Sequence, residues 1–450
     1  MHAITRLTDA LRSGAFLTRA RMRMWALGVL VATTAGLVFI VATANGIVDS
    51  QDRPLGTDFS NVYAAGTFVL EGHPEAPFDP LRQHAREKAI FGDKTPFYGW
   101  HYPPFFLGIA ALLALLPYWL ALLFWQGATL IAYLLAIRAI LLAQSPTSPR
   151  LGGEVDRRRR SGERLSPSSV DVETAPHPAS GDRLWLLLAL AFPAVFVNLG
   201  HGHNGFLTAA LLGGGLILLD RRPLLAGVLF GLLAYKPQFG LMIPLVLVTT
   251  GRWRTSGAAV LTVAALGLAT TLAFGPEVWQ AFLASTRFTR VVVLEAGDTG
   301  WHKIQSVFAW VRMWGGGIAL AYAAQGAVTI VLALALVWLW RTATAFPLKA
   351  AALAIASILA TPYSLDYDMM VLAPAIAFLA IDGTTRGFAP WQKSVLALLW
   401  IVPLFARSLA ELTLIPIGVV AMLVVFGSVL HRNKSELGTS RLWPSIAQTR

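Results

Sequence analysis

Long apolar runs, broken by short polar or basic segments, set the pattern of this chain. One runs from Trp25 to Ile47, another from Trp119 to Ala143, and others cover 183–199, 223–235, 256–274 and 394–409. Most have the length of about 20 residues that an α-helix needs to cross a hydrocarbon core of about 30 Å. The pattern predicts an all-α polytopic membrane protein with about twelve transmembrane helices. Composition agrees: 56% of residues are hydrophobic, 13% are charged, and mean hydropathy is +0.60. A soluble domain cannot bury that much apolar surface.

Charge orients the spans. Arg6, Arg12, Arg19, Arg21 and Arg23 precede the first run and place the N-terminus in the cytoplasm. Ala42-Thr43-Ala44 resembles a signal-peptidase site, but the run before it exceeds a signal core of about 7–15 residues, so it reads as a retained anchor. Residues 48–101 then lie outside. Segment 103–117 starts at Pro103-Pro104 and is interrupted by Pro117. It reads as a juxtamembrane or re-entrant helix that does not cross. If it crossed, the polar insert 144–182, with Arg157-Arg158-Arg159-Arg160, would lie outside, against the positive-inside rule. That insert is expected to be disordered. The remaining spans alternate, with Arg221-Arg222, Arg252 and Arg254, Arg341, Arg386 and Lys393, and His431-Arg432 inside.

The expected organisation is therefore an N-terminal anchor, outer loop and second span over 1–143, the basic insert 144–182, spans three to seven over 183–274, an outer loop over 275–314, and a C-terminal helical bundle and tail over 315–450. Net charge is +12, but the basic residues sit in loops with a topological job, so no nucleic-acid partner is expected. The chain has no cysteine, which excludes disulfide and thiolate chemistry. No Walker A motif, dinucleotide fingerprint or Ser-His-Asp spacing is visible.

The polar residues without a topological role all fall on the outer face: Asp58, His73, His101, His201, His203, Asn204, Lys236, Gln238, Asp298, His302, Lys303, Asp366 and Asp368. This predicts a site facing away from the cytoplasm. Soluble nucleotide sugars are cytoplasmic, so a sugar donor there would come on a lipid. Each motif also has a plainer reading. Asp58 opens an expected amphipathic helix over Phe59–Leu70 lying on the membrane, where Asp is a favoured cap. The same carboxylate, partly desolvated, suits a general base. His101-Tyr102 either punctuates a helix start or, beside Trp100, walls a sugar or prenyl chain. Asn198 to Asn204 is either a polar turn or a set of hydrogen-bonding groups for sugar or phosphate. Two histidines without a carboxylate make a poor metal site. Lys236 either snorkels or holds a phosphate, with Lys303 or His302 as a second contact. Asp366-Tyr367-Asp368 matches a DxD triplet, but acidic residues are favoured at helix starts.

In this order, four stretches resemble glycosyltransferase family 87, the polyprenyl-phosphate-mannose-dependent mannosyltransferases and their arabinofuranosyltransferase relatives. They are Thr57-Asp58-Phe59 with Tyr63-Ala64-Ala65; Tyr102-Pro103-Pro104 with Leu115-Leu116-Pro117; Asn198-Leu199-Gly200-His201; and Ala226-Gly227 through Gly231-Leu232 to Lys236-Pro237. The resemblance implies a GT-C architecture, with a long first outer loop carrying juxtamembrane helices and a core completed by spans three to seven. It implies a catalytic base at Asp58. His201 stands where the family usually has Gln. The candidate donor-binding set is Lys236, His201, His203, Asn204, His302, Lys303, Tyr102 and Tyr63, with no metal and no cofactor. The implied reaction moves a hexose, mannose by resemblance, from a polyprenyl-phosphate sugar to a hydroxyl of a glycolipid or glycan, with inversion, at the outer face of the cell inner membrane. A lipid-linked sugar flippase and an O-antigen ligase or polymerase are the alternatives. The 275–314 loop, with Arg287, Arg290 and His302, keeps the ligase open.

Overall fold

A computed structural model describes residues 2–143 and 183–441. The insert 144–182, with its four consecutive arginines, and the tail 442–450 lie outside the described residues. The described residues are helical, with only isolated β-bridges besides.

Helix α1 spans His2–Ser13 and α2 spans Arg19–Ala42. Thr18 starts α2 by accepting a hydrogen bond from Arg21 N at 3.3 Å. In the whole length of α2 only Ala26 is buried, as suits a helix against lipid. The segment between α2 and residue 117 then builds three short helices: α3 (Thr57–Leu70), α4 (Pro80–Phe91) and α5 (Phe106–Ala114). Helix α5 has 9 residues, roughly 14 Å of rise, too short to cross a bilayer. Its apolar sequence is explained by α3, which packs directly on it. A Cβ on Gly66 would stand 2.1 Å from Ala110 O, so only glycine permits this approach. Helix α3 does not lie on a membrane surface as a half-exposed amphipathic helix. Phe59, Ser60, Asn61, Val62, Ala64, Ala65, Gly66 and Phe68 are all buried by protein.

Helix α6 (Tyr118–Leu142) begins the main bundle. Among the described residues six helices are long and apolar enough to cross a membrane: α2, α6, Trp253–Phe274, Ile318–Arg341, the run Asp366–Arg386, and Gln392–Thr413. The pair Leu184–Leu190 and Pro193–His201 forms a further candidate bent by 44°; Pro193 cannot donate into the ladder and opens the second half. Five shorter apolar helices complete the bundle, Phe346–Leu359 among them. From Leu348 onward that helix is buried on every side except at Lys349, and it forms the centre of the core with Leu372–Arg386.

The bundle has two chemically distinct ends. At one, Arg221 donates to Ala143 O, Arg252 pairs with Asp220, Arg341 donates to Thr249 O and Arg432 pairs with Asp382. At the other, Tyr118 donates to Leu55 O at 2.6 Å beside the start of α3. The 25 residues of α6 separate the two, roughly 37 Å of helix.

Candidate active site

Two glycines bring the first site elements together. Gly56, at φ 70°, turns the chain into α3, and Gly202, at φ 64°, ends Pro193–His201. A Cβ on Gly202 would lie 2.6 Å from Phe59 Cβ and 3.2 Å from Gly56 Cα. The His201–Asn204 turn therefore rests on the first turn of α3. Thr57 Oγ1 and His201 Nδ1 share a hydrogen bond of 2.7 Å, and the same nitrogen lies 3.9 Å from Asp58 Oδ2. Asp58 makes no capping bond, so the cap reading is not what holds it there. Its side chain keeps 20% exposure. Burial pushes its carboxyl above the ordinary carboxylate value; His201, Lys303 and Lys236 pull it back and Asp366 pushes it further. A partly exposed carboxylate of raised basicity has the character of a general base.

Asn198 fixes the floor. Its amide donates to Tyr367 O at 3.1 Å and to Ala194 O at 2.9 Å, and its oxygen accepts from Gly205 N at 2.8 Å. The turn 198–205 is thus tied to Asp366–Val371, a 3-10 segment more than 160 residues away. His203 stacks on Tyr367, with ring centroids 3.5 Å apart, and its Nε2 meets Tyr102 Oη at 3.2 Å. Burial holds His203 neutral, well below the ordinary histidine value. His203 Nδ1 and both side-chain polar atoms of Asn204 are buried without a hydrogen bond to protein. Such groups are costly unless a ligand hydroxyl meets them.

Lys236 lies below this floor, buried, and forms an ion pair with Asp368. Asp368 also accepts from Leu365 N at 3.1 Å, so one residue serves as helix cap and as counter-ion. The Lys236 ammonium sits 5.4 Å over the Tyr367 ring. Its charge is matched within the protein rather than presented to solvent.

The cations at the mouth are different. The 3-10 turn Trp301–Lys303 leads into Gln305, whose N–H donates to Ser364 O at 2.6 Å. This fixes His302 and Lys303 beside Asp366. Burial lowers the Lys303 ammonium from its ordinary value, Arg407 lowers it further, and Asp366 and Asp58 oppose both. Burial likewise lowers His302. Arg407, on Gln392–Thr413, lies 3.9 Å from Asp366 and keeps 40% exposure.

The fold thus gathers Asp58, His201, His203, Asn204, Tyr102, Lys236 and Lys303 at one end, with His302 beside them. Tyr63 has a partner outside that group: its hydroxyl donates to Leu116 O at 3.0 Å. His101 also turns aside, meeting Thr289 Oγ1 at 2.9 Å, with burial pushing it down to about 4. Sequence reasoning missed Arg407, although an arginine within an otherwise apolar run, near its end, is a readable signal. It also missed Tyr367, whose place under both histidines depends on a distant segment. Among the described residues no three His, Asp or Glu side chains converge as a metal site.

A helical membrane protein with a carboxylate, two histidines and a cationic mouth at one end of its bundle has the makings of a glycosyl-transfer site. Residues 100–362, more than half the chain, match glycosyltransferase family 87, and the chain belongs to that family. It is therefore a membrane glycosyltransferase. No curated protein and no solved structure matches it. The matched range takes in Tyr102, His201, His203, Asn204, Lys236, His302 and Lys303; Asp58 precedes it, and Asp366, Asp368 and Arg407 follow it.

Proposed function

We propose that this protein moves a hexose, mannose by family resemblance, from a polyprenyl-phosphate sugar to a hydroxyl of a glycolipid or glycan. The reading places the site on the outer face of the inner membrane of a GT-C bundle that crosses about twelve times. Six long helices and the bent pair have the length to cross, and in this reading the five shorter apolar helices provide the remaining crossings.

The observation that carries the reading is Asp58 with its carboxylate 3.9 Å from His201 Nδ1, in the electrostatic field of cations from two distant segments, Lys236 and Lys303. Inverting transfer needs a base on the acceptor side and positive charge on the leaving phosphate. Asp58 takes the proton of the acceptor hydroxyl as that oxygen attacks the anomeric carbon. The bond from that carbon to the phosphate oxygen breaks, and the phosphate leaves as a stable anion without needing an acid. Thr57 and His201 hold Asp58 in place on one side. Lys303, His302 and Arg407 bind the phosphate at the mouth, where a lipid can approach from the side. Lys236 adds a buried positive field rather than a direct contact, because Asp368 already occupies it. His203 Nδ1 and Asn204 offer their unmatched polar atoms to sugar hydroxyls.

A flippase needs polar groups near mid-membrane and access from both sides. Here they gather at one end, which favours the enzyme. The test is transfer of labelled sugar from polyprenyl-phosphate mannose to endogenous membrane acceptors. The Asp58→Asn variant should insert normally and transfer nothing. Transfer at the parent rate would remove Asp58 from the mechanism, and use of a diphosphate-linked donor alone would favour the ligase.

A further inference from the structure

Helices α3 and α4 meet through polar groups that the proposed reaction leaves idle. Gln83 and Glu87 lie one turn apart on α4 and are fully buried, each at 0% exposure. Gln83 faces Asn61, at 4% exposure, one turn after Asp58 on α3. Gln83 Nε2 donates to Asn61 O at 3.0 Å, and Tyr98 N donates to Glu87 Oε2 at 3.4 Å. Three buried oxygens here make no hydrogen bond: Asn61 Oδ1, Gln83 Oε1 and Glu87 Oε1.

All three are acceptors if Glu87 is ionised, so none can satisfy another, and the donors left to the carboxylate are the Gln83 amide and the backbone N–H groups of Tyr98 and Gly99. Turning the Gln83 amide over gives no relief, because its oxygen would then face the Asn61 carbonyl. One proton on Glu87 Oε1 changes this. It supplies the missing donor, and a carboxylic acid can reach a neighbouring amide oxygen. No cation compensates the alternative. Arg82 and Arg86, on the same helix, pair with Glu75 and Glu71 on its outer side, and His84 binds Thr95 O. From α3 the charge that bears on Glu87 is that of Asp58, which is negative; from the following segment it is the backbone N–H groups of Tyr98 and Gly99 that reach it, and the Tyr98 phenol lies near.

We propose that Glu87 is a neutral carboxylic acid whose proton holds the Gln83 amide that ties α4 to α3, making it a positioning residue for the helix that presents Asp58. The inference rests on the reading of Asp58 as the base. Burial pushes the Glu87 carboxyl up to about 8, and the Asp58 charge adds to the effect. A neutral Glu87 also spares Asp58 a second negative charge close by. Ionisation above that pH makes Glu87 compete with Asn61 O for the Gln83 amide N–H, which loosens the contact beside Asp58.

The test is the pH profile of kcat for sugar transfer by the full-length protein in detergent or nanodiscs. Wild type should lose activity as pH rises through about 8. Glu87→Gln, neutral at every pH, should keep wild-type kcat at pH 7 and lose that alkaline limb. Glu87→Leu should lower kcat about tenfold or more, with the KM for donor little changed. A Glu87→Gln protein that keeps the limb unmoved, or that is folded yet ten times slower at pH 7, overturns the proposal. If that variant does not fold, infrared spectroscopy of Asp58→Asn decides: a protonated-carboxyl band should be present at pH 7 and fade by pH 9, and its absence at pH 7 overturns the proposal. Full transfer by Asp58→Asn would end the base reading alone, leaving band and limb as the measure of Glu87.

Discussion

Lys236 and Asp368 form a buried ion pair across 132 residues of sequence, at 3% and 2% side-chain exposure. The pair joins the segment after Leu233–Tyr235 to the 3-10 segment that carries Tyr367, and Tyr367 in turn supports His203. Removing one partner leaves an uncompensated buried charge, at a cost of about 3–5 kcal/mol. Lys236→Met and Asp368→Leu should each lower the unfolding midpoint in detergent markedly, while the double variant should recover most of the loss. Single variants as stable as wild type would show that the pair is not held dry.

Asp58 gives a prediction in pH. Its carboxyl is raised by burial, and only its ionised form can accept a proton. Activity should therefore be lost, as pH falls, at a pH above the ordinary carboxylate value. The stability sign is separate: a raised carboxyl stabilises the fold fully below its unfolded value and loses that contribution as pH rises through the folded value. Asp58→Asn should abolish transfer and flatten this part of the stability curve. An acid limb in the ordinary carboxylate range would contradict the buried base.

The mouth cations should govern donor affinity. Lys303→Ala and Arg407→Ala each delete one charged contact, worth about 1.5–3 kcal/mol when hydrogen-bonded to phosphate. That is roughly a 10- to 100-fold rise in the KM for polyprenyl-phosphate sugar. Arg407→Ala should act more weakly, because Arg407 keeps 40% exposure and faces Asp366. A change in kcat with KM unmoved would place these residues elsewhere in the reaction.

Gly202 should not tolerate alanine. Its φ is 64°, and a Cβ would meet Phe59 Cβ at 2.6 Å. Strain of about 1–3 kcal/mol is expected, together with a shift of His201 away from Asp58. Transfer should fall even where the protein still folds, read by activity beside the unfolding midpoint. By contrast, Tyr63→Phe removes only the bond to Leu116 O and should leave donor affinity unchanged.

The chain's own order of apolar and polar residues determined the helical class; of the roughly twelve spans it predicts, six helices among the described residues, or seven with the bent pair, have the length and apolar character to cross. Helical periodicity and span length are local properties, so they are written in consecutive residues. The same holds for the Asp58 neighbourhood, whose flanking Gly56 and Phe59 signal a turn into a helix. Tertiary structure alone decided which polar residues meet. Lys236 reads as a lone outer lysine until Asp368 is seen against it. Tyr63 reads as part of a site motif until its hydroxyl is found on Leu116. Arg407, Tyr367 and Glu87 gain meaning only from partners on other helices. Pairing between helices depends on how they pack, and no local pattern encodes a contact between residues more than a hundred positions apart.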